Sequence, residues 1–179
     1  MRRHWILTLL AATLLLLACR GEESESPAPN LPEVVSTQRT VTLYFESQDL
    51  KLSPEQRTLT LPEEDWAAAP LILAELVRGS ANSSIPSLFP PDTEVKAVYF
   101  LPGGAAVVDL GGATLAQGWN TGSHVELMAV YSVVQTVVSN FEGIEKVRVL
   151  VDGQPAATLG GHIAIDRFLR PAPDLVLQP

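Results

Sequence analysis

Along residues 39–46 apolar and polar side chains alternate, with Val41, Leu43 and Phe45 on one face and Thr40, Thr42 and Tyr44 on the other. Successive side chains of an extended chain point to opposite faces, so this pattern predicts a half-buried strand. Residues 58–61 repeat it briefly through Leu59 and Leu61, and Pro62 ends the run. From 66 to 78 the period changes. Leu71, Ile72, Ala74, Leu76 and Val77 fall in helical context, with Gly79 as the C-terminal stop and Pro70 acceptable only in a first turn.

Residues 80–91, with Asn82, Pro86, Pro90 and Pro91, read as a loop. Residues 94–101 and 105–110 flank Pro102-Gly103-Gly104 and predict a β-hairpin. The clearest helix covers residues 123–140, where Val125, Met128, Ala129, Val133 and Val137 recur near helical spacing. Ser123 followed by Glu126 predicts a capping box, with each side chain taking a free backbone N–H of the first turn. So much Val is unfavourable in an isolated helix, so packing against a sheet must stabilise it. A strand at 146–151, a tight turn at Asp152-Gly153 and a return strand from Gln154 to Leu159 follow. Gly160-Gly161 interrupts the return before residues 162–165, where Ile163 and Ile165 alternate again. The expected fold class is α+β, two helices packed on a mainly antiparallel sheet.

The ends of the chain read differently. Arg2 and Arg3 precede an apolar run of about 13 residues from Trp5 to Leu17, too short for a comfortable span of about 20 residues. Positive residues, a short apolar stretch and a small residue make a signal peptide, residues 1–18. Leu16-Leu17-Ala18-Cys19 resembles the bacterial lipobox, which implies cleavage before Cys19 and its lipidation. His4 and Trp5 do not continue a twin-arginine pattern, so ordinary export is expected. Residues 19–38, rich in Glu, Ser and Pro, read as a flexible tether, and the Pro-containing residues 171–179 as an extended tail. Residues 39–170 remain as one domain with a sizeable core.

Charge narrows the partners. The formal charge of −8 becomes −10 once Arg2 and Arg3 leave with the signal peptide, and such a surface repels nucleic acid and anionic lipid heads. Attachment to a membrane is therefore expected from acyl chains on Cys19. Cys19 is the only cysteine, so the domain has no internal disulfide and no thiolate chemistry.

No residue set makes a convincing catalyst. Ser123, His124 and Asp109 have the types of a hydrolytic triad, but adjacent Ser and His do not reach each other as nucleophile and base, and no G-x-S-x-G elbow exists. Asp109 and Asp152 are expected to end strands and accept turn hydrogen bonds. His124 and His162 lack metal-ligand spacing, so neither a metal nor any other cofactor is expected. Trp66, Tyr99 and Trp119 are candidate partner-surface aromatics. The candidate binding surface is Trp119, in the loop before the long helix, together with Gly160, Gly161 and His162; a turn-bonded role is the plainer reading of that histidine.

The segments VTLYF (41–45), LILAELVRGS (71–80), FPPDTEVKAV (89–98), AAVVDL (105–110) and above all VRVLVDGQPAATLGGHI (147–163) resemble the GerMN domain family of sporulation and germination lipoproteins. The resemblance covers residues 39–170 and one such domain, where GerM carries two. It implies a fold similar to the ring-building motifs of envelope secretion machines, no established catalytic residues, and a role in extracytoplasmic assembly. The expected function is thus a lipid-anchored, non-enzymatic interaction or scaffold domain in sporulation, germination or another envelope assembly. Its expected partners are the membrane and an envelope protein, and the same reading accommodates self-association. Recognition of a small molecule or wall glycan is the alternative, and an envelope hydrolase a distant third.

Overall fold

In the hairpin of β1 (Ser36–Glu46) and β2 (Leu52–Pro62) every residue is paired, from Ser36 opposite Pro62 to Glu46 opposite Leu52. These strands belong to a computed structural model that describes residues 35–178. The expected signal peptide, Cys19 and the expected tether up to residue 34 lie outside the described residues. β1 begins inside the segment expected as tether, at Ser36, and its Val41, Leu43 and Phe45 are buried as the alternation requires. β2 is far longer than residues 58–61. Its first half is polar and contains Pro54, yet backbone pairing with β1 needs no apolar side chains, and a proline is tolerated in an edge strand.

Helix α1 (Asp65–Arg78) buries Ala68, Ala69, Ile72, Leu73 and Leu76 in one stripe. It ends at Gly79, whose φ of 105° suits a residue without Cβ. Pro70 stands inside the helix, not in its first turn. The carbonyl it leaves without an N–H partner is that of Trp66, an exposed residue near the helix start, which limits the cost.

The second sheet has the order β3-β4-β5-β6. β3 (Glu94–Leu101) and β4 (Ala105–Gly111) form the expected hairpin, while β4 and β5 (Lys146–Val151) run parallel. That parallel pair requires a crossover, supplied by the one-turn α2 (Ala113–Ala116) and the long α3 (Ser123–Asn140). One face of the sheet carries Val98 opposite Val108 and Val149, with Phe100 opposite Ala106 and Val147. The strands thus form two sheets joined by helices, since α1 and α3 each touch both. The α+β class stands, with the antiparallel pairs interrupted by one parallel pair.

The expected return strand at 154–159 shrinks to β6 (Gln154–Pro155). Pro155 has no N–H for the ladder, and the N–H groups of Leu159 and Gly160 donate to a side chain of α3 instead. Residues 162–165 are irregular for the same reason.

The C-terminal residues are docked, not extended. Leu169 and Val147 exchange backbone hydrogen bonds of 2.7 and 2.8 Å, a 3-10 turn covers Pro173–Leu175, and Leu177 donates to the Leu52 carbonyl at 2.8 Å. The apolar Leu175 and Val176 pack against the core and outweigh the extended bias of the prolines.

At its C-terminal end α3 closes the free edge of β1. The Asn140 amide accepts from Thr42 N–H at 2.9 Å and donates to Thr42 C=O at 2.7 Å, while Thr136 Oγ1 accepts from Tyr44 N–H at 3.2 Å. Polar side chains of a helix here do the work of a neighbouring strand.

Candidate functional site

The first turn of α3 holds a carboxylate where the sequence predicts a cap. Gly122, not Ser123, is the N-cap, and it makes no side-chain cap hydrogen bond. Glu126 is consequently one residue too deep to reach back, and it is fully buried, with 0% exposure. The capping box does not form.

Glu126 instead organises the loop that follows β6. Its Oε1 accepts from the N–H groups of Leu159 at 2.9 Å and Gly160 at 2.8 Å. Its Oε2 accepts from His162 N–H at 2.8 Å and from His162 Nδ1 at 3.0 Å. Burial pushes the carboxyl pKa up, but the hydrogen bonds from Gly160, His162 and Ile163 N–H and from the His162 ring outweigh it, leaving the pKa below the usual carboxylate value. An ionised carboxylate only accepts, so the His162 Nδ1 that faces it is the donor of this contact. The positive end of the helix dipole favours the same charge state.

The two glycines of this loop serve different needs. A Cβ at Gly160 would lie 2.8 Å from the Trp119 carbonyl oxygen and 2.9 Å from Thr121 Cγ2, so the close approach of two backbones excludes a side chain. Gly161 has open space around it but a φ of +98°, which L side chains rarely adopt.

Trp119 joins the loop from the other side, its N–H donating to the Leu159 carbonyl at 3.2 Å. Its side chain is half-buried against the core, where the sequence suggested exposure. Trp119, Gly160 and Gly161, with Leu115, Asn120 and Thr158, line a cleft of about 760 Å³. His162 does not line it: its ring, 42% exposed, turns to Glu126. The structure thus brings all four candidate residues to one loop cluster and places three of them on one cleft wall.

The other candidates are dispersed. His124 Nε2 lies 2.5 Å from Glu46 on β1. Asp109 accepts from Gly153 N–H at 2.8 Å, the turn-bonding role expected of it, and Asp152 sits in the turn itself at φ 47°. Ser123, His124 and Asp109 therefore make no relay. Among the described residues no group of three or more His, Cys, Asp or Glu side chains could hold a metal ion. Trp66 and Tyr99 are exposed, at 67% and 54%. The sequence reading passed over Glu126 as a site residue. Its signal was a charge on the helical face of Val130, Val133 and Val137, all of them buried.

Residues 42–157 match the Germane family, described as sporulation and spore germination. The chain belongs to this family. The match ends at Ala157, ahead of the Glu126-bound loop. Solved structures agree on the fold. The first GerMN domain of the sporulation protein GerM from Bacillus subtilis is 25% identical with a TM-score of 0.53, over 73% of this chain and 97% of that one. The tandem GerMN domains of the same protein give 13% identity and a TM-score of 0.54 over 83% of this chain, which spans 50% of that structure. A candidate lipoprotein from Clostridium perfringens gives 19% identity and a TM-score of 0.54, over 79% of this chain and 93% of that one. Among curated proteins none matches the sequence. In this Germane chain the family match is one stretch, residues 42–157, and the chain spans half of the tandem structure. Among its described residues no helix is long and apolar enough to cross a membrane.

Proposed function

We propose that this chain is a lipid-anchored, extracytoplasmic Germane protein whose domain is a non-catalytic interaction module for another envelope protein. The observation that carries the reading is how the polar side chains are used. Glu126 is bonded to the His162 Nδ1 and to the N–H groups of the loop, Asp109 to a turn and His124 to Glu46, while Trp66, Leu71, Tyr99 and Leu101 are exposed. Polar groups spent on architecture and exposed aromatics suit binding rather than bond-breaking. The likeness to a candidate lipoprotein supports the anchoring at Cys19, as does the Leu-Leu-Ala-Cys sequence.

The test is crosslinking of the full chain in native membranes, beside Cys19→Ser. Repeated recovery of one envelope assembly from the lipidated form alone is the expected result; no partner from either form overturns the reading. A second reading, recognition of a wall glycan or small molecule, is favoured by the Trp119 cleft of about 760 Å³. It requires a change in Trp119 emission when soluble wall fragments are added to a Trp66→Phe background.

A further inference from the structure

Strand β3 ends its sheet, so among the described residues one of its long edges has no strand beside it. Residues 96–101 all line a groove of about 690 Å³, whose other wall is Trp66, Ala67 and Pro70 of α1. Side chains from one face of a strand would enter such a groove only at every second residue. A consecutive run means that the groove opens on the strand edge, where alternate residues direct N–H and C=O away from β4. Among the described residues the backbone of 96–101 makes no hydrogen bond beyond its pairing with β4.

Exposed strand edges are ordinarily blunted by charge, proline or a bulge. β3 has such protection in its first half only: Lys96, paired with Glu94, and the register shift between Val95 and Ala97. Val98, Tyr99, Phe100 and Leu101 follow without charge, proline or bulge, and all four line the groove. Glu63 and Glu64, exposed and without a basic partner among the described residues, directly precede α1. They stand three and two residues before Trp66 of the groove wall, on a chain of formal charge −8.

We propose that this edge binds an extended segment of an envelope partner, with apolar and basic residues in alternation, as an added strand. The proposal rests on the interaction-module reading and names its partner's chemistry. The edge of β3 supplies the backbone pairing, Trp66, Pro70 and Leu101 receive alternate apolar side chains, and Glu63 and Glu64, next to Trp66 in the chain, favour the cations between them. A second copy of the chain would bring the same acidic pair and the same net charge of −8 to itself, which disfavours it as the occupant.

The test uses the full chain in detergent micelles and a labelled, blocked peptide of about eight residues alternating Val and Lys, a typical strand length. Binding by anisotropy is expected, with at least about tenfold weaker binding for the same peptide N-methylated at alternate residues and for a Val and Glu alternation. Tyr99→Lys with Leu101→Lys, both exposed positions, is expected to weaken binding similarly while the thermal melt stays unchanged. Equal binding of the N-methylated peptide overturns strand addition. Unchanged binding by the double variant overturns the groove, and self-association that this variant abolishes makes a second copy the occupant. Crosslinking in membranes separates the two levels. A partner retained by the double variant overturns the groove but leaves the interaction module standing, whereas no partner for the unaltered chain overturns both.

Discussion

Glu126 holds His162 twice with one oxygen, accepting from its backbone N–H at 2.8 Å and from its ring Nδ1 at 3.0 Å. The second oxygen takes Leu159 and Gly160, so a single buried carboxylate fixes the course of the chain after β6. Among the described residues no oppositely charged Lys or Arg pairs with it; backbone donors, the histidine ring and the helix dipole compensate it.

Removing that acceptor strands the buried Leu159 N–H together with the part-buried N–H groups of Gly160 and His162. Glu126→Ala is expected to lower unfolding free energy by about 3 kcal/mol, since each unsatisfied buried group costs about 1–3 kcal/mol and water recovers part of the loss. Glu126→Gln keeps one carbonyl acceptor and should lie between. Urea unfolding of both variants measures this, and a loss below about 0.5 kcal/mol in Glu126→Ala, the range of ordinary surface substitutions, would contradict the assignment.

The same group sets an acid limit. Its folded pKa lies below the unfolded value, so its contribution is fully present above the unfolded carboxyl pKa of about 4.3 and is lost as pH falls through the folded pKa. Glu55 behaves likewise, because hydrogen bonds from Ser80, Arg57 and Ala81 outweigh the upward push of its burial. The melting temperature should therefore fall below about pH 4, and less steeply in Glu126→Gln. Identical slopes in the two proteins would remove Glu126 from the acid response.

Gly160 and Gly161 should fail for different reasons. Gly160→Ala places a methyl 2.8 Å from the Trp119 carbonyl oxygen, so Trp119 emission shifts along with stability. Gly161→Ala costs about 1 kcal/mol through backbone strain and leaves Trp119 undisturbed. Thermal melts with fluorescence in a Trp66→Phe background separate the two, and equal spectral shifts would refute the distinction.

Asn140→Ala removes the amide that pairs with both backbone groups of Thr42. A loss of about 2 kcal/mol is expected, with faster amide exchange at Thr42. Asn140→Asp should do no better, because it keeps the acceptor but turns the donor to the Thr42 carbonyl into a second acceptor. Unaltered exchange at Thr42 in both variants would show that the β1 edge is protected by other means.

Much of this architecture was legible in the residues themselves. Alternation at Val41, Leu43 and Phe45, the hairpin around Gly103-Gly104, the Val-rich helix and the Asp152-Gly153 turn are local signals, and each element stands where its period places it. The polar half of β2 was hidden, because its partner strand and not its own side chains holds it in the ladder. The cluster of Trp119, Gly160, Gly161 and His162 was visible as residue types, but its organiser was mistaken for a helix cap.

The sequence by itself determined the periods, the turns, the GerMN resemblance and the acidic charge, because each is read from residue type and order without knowing which distant segments meet. Only the tertiary structure decided that Glu126 faces inward to residues 159–163, that Trp119 is half-buried while Trp66 is exposed, and that the C-terminal residues dock on Leu52 and Val147. Those outcomes turn on contacts between segments distant in sequence. A carboxylate one position deeper than a capping box requires meets either water or a loop of free N–H groups, and the packing of α3 against the rest of the domain selects between them.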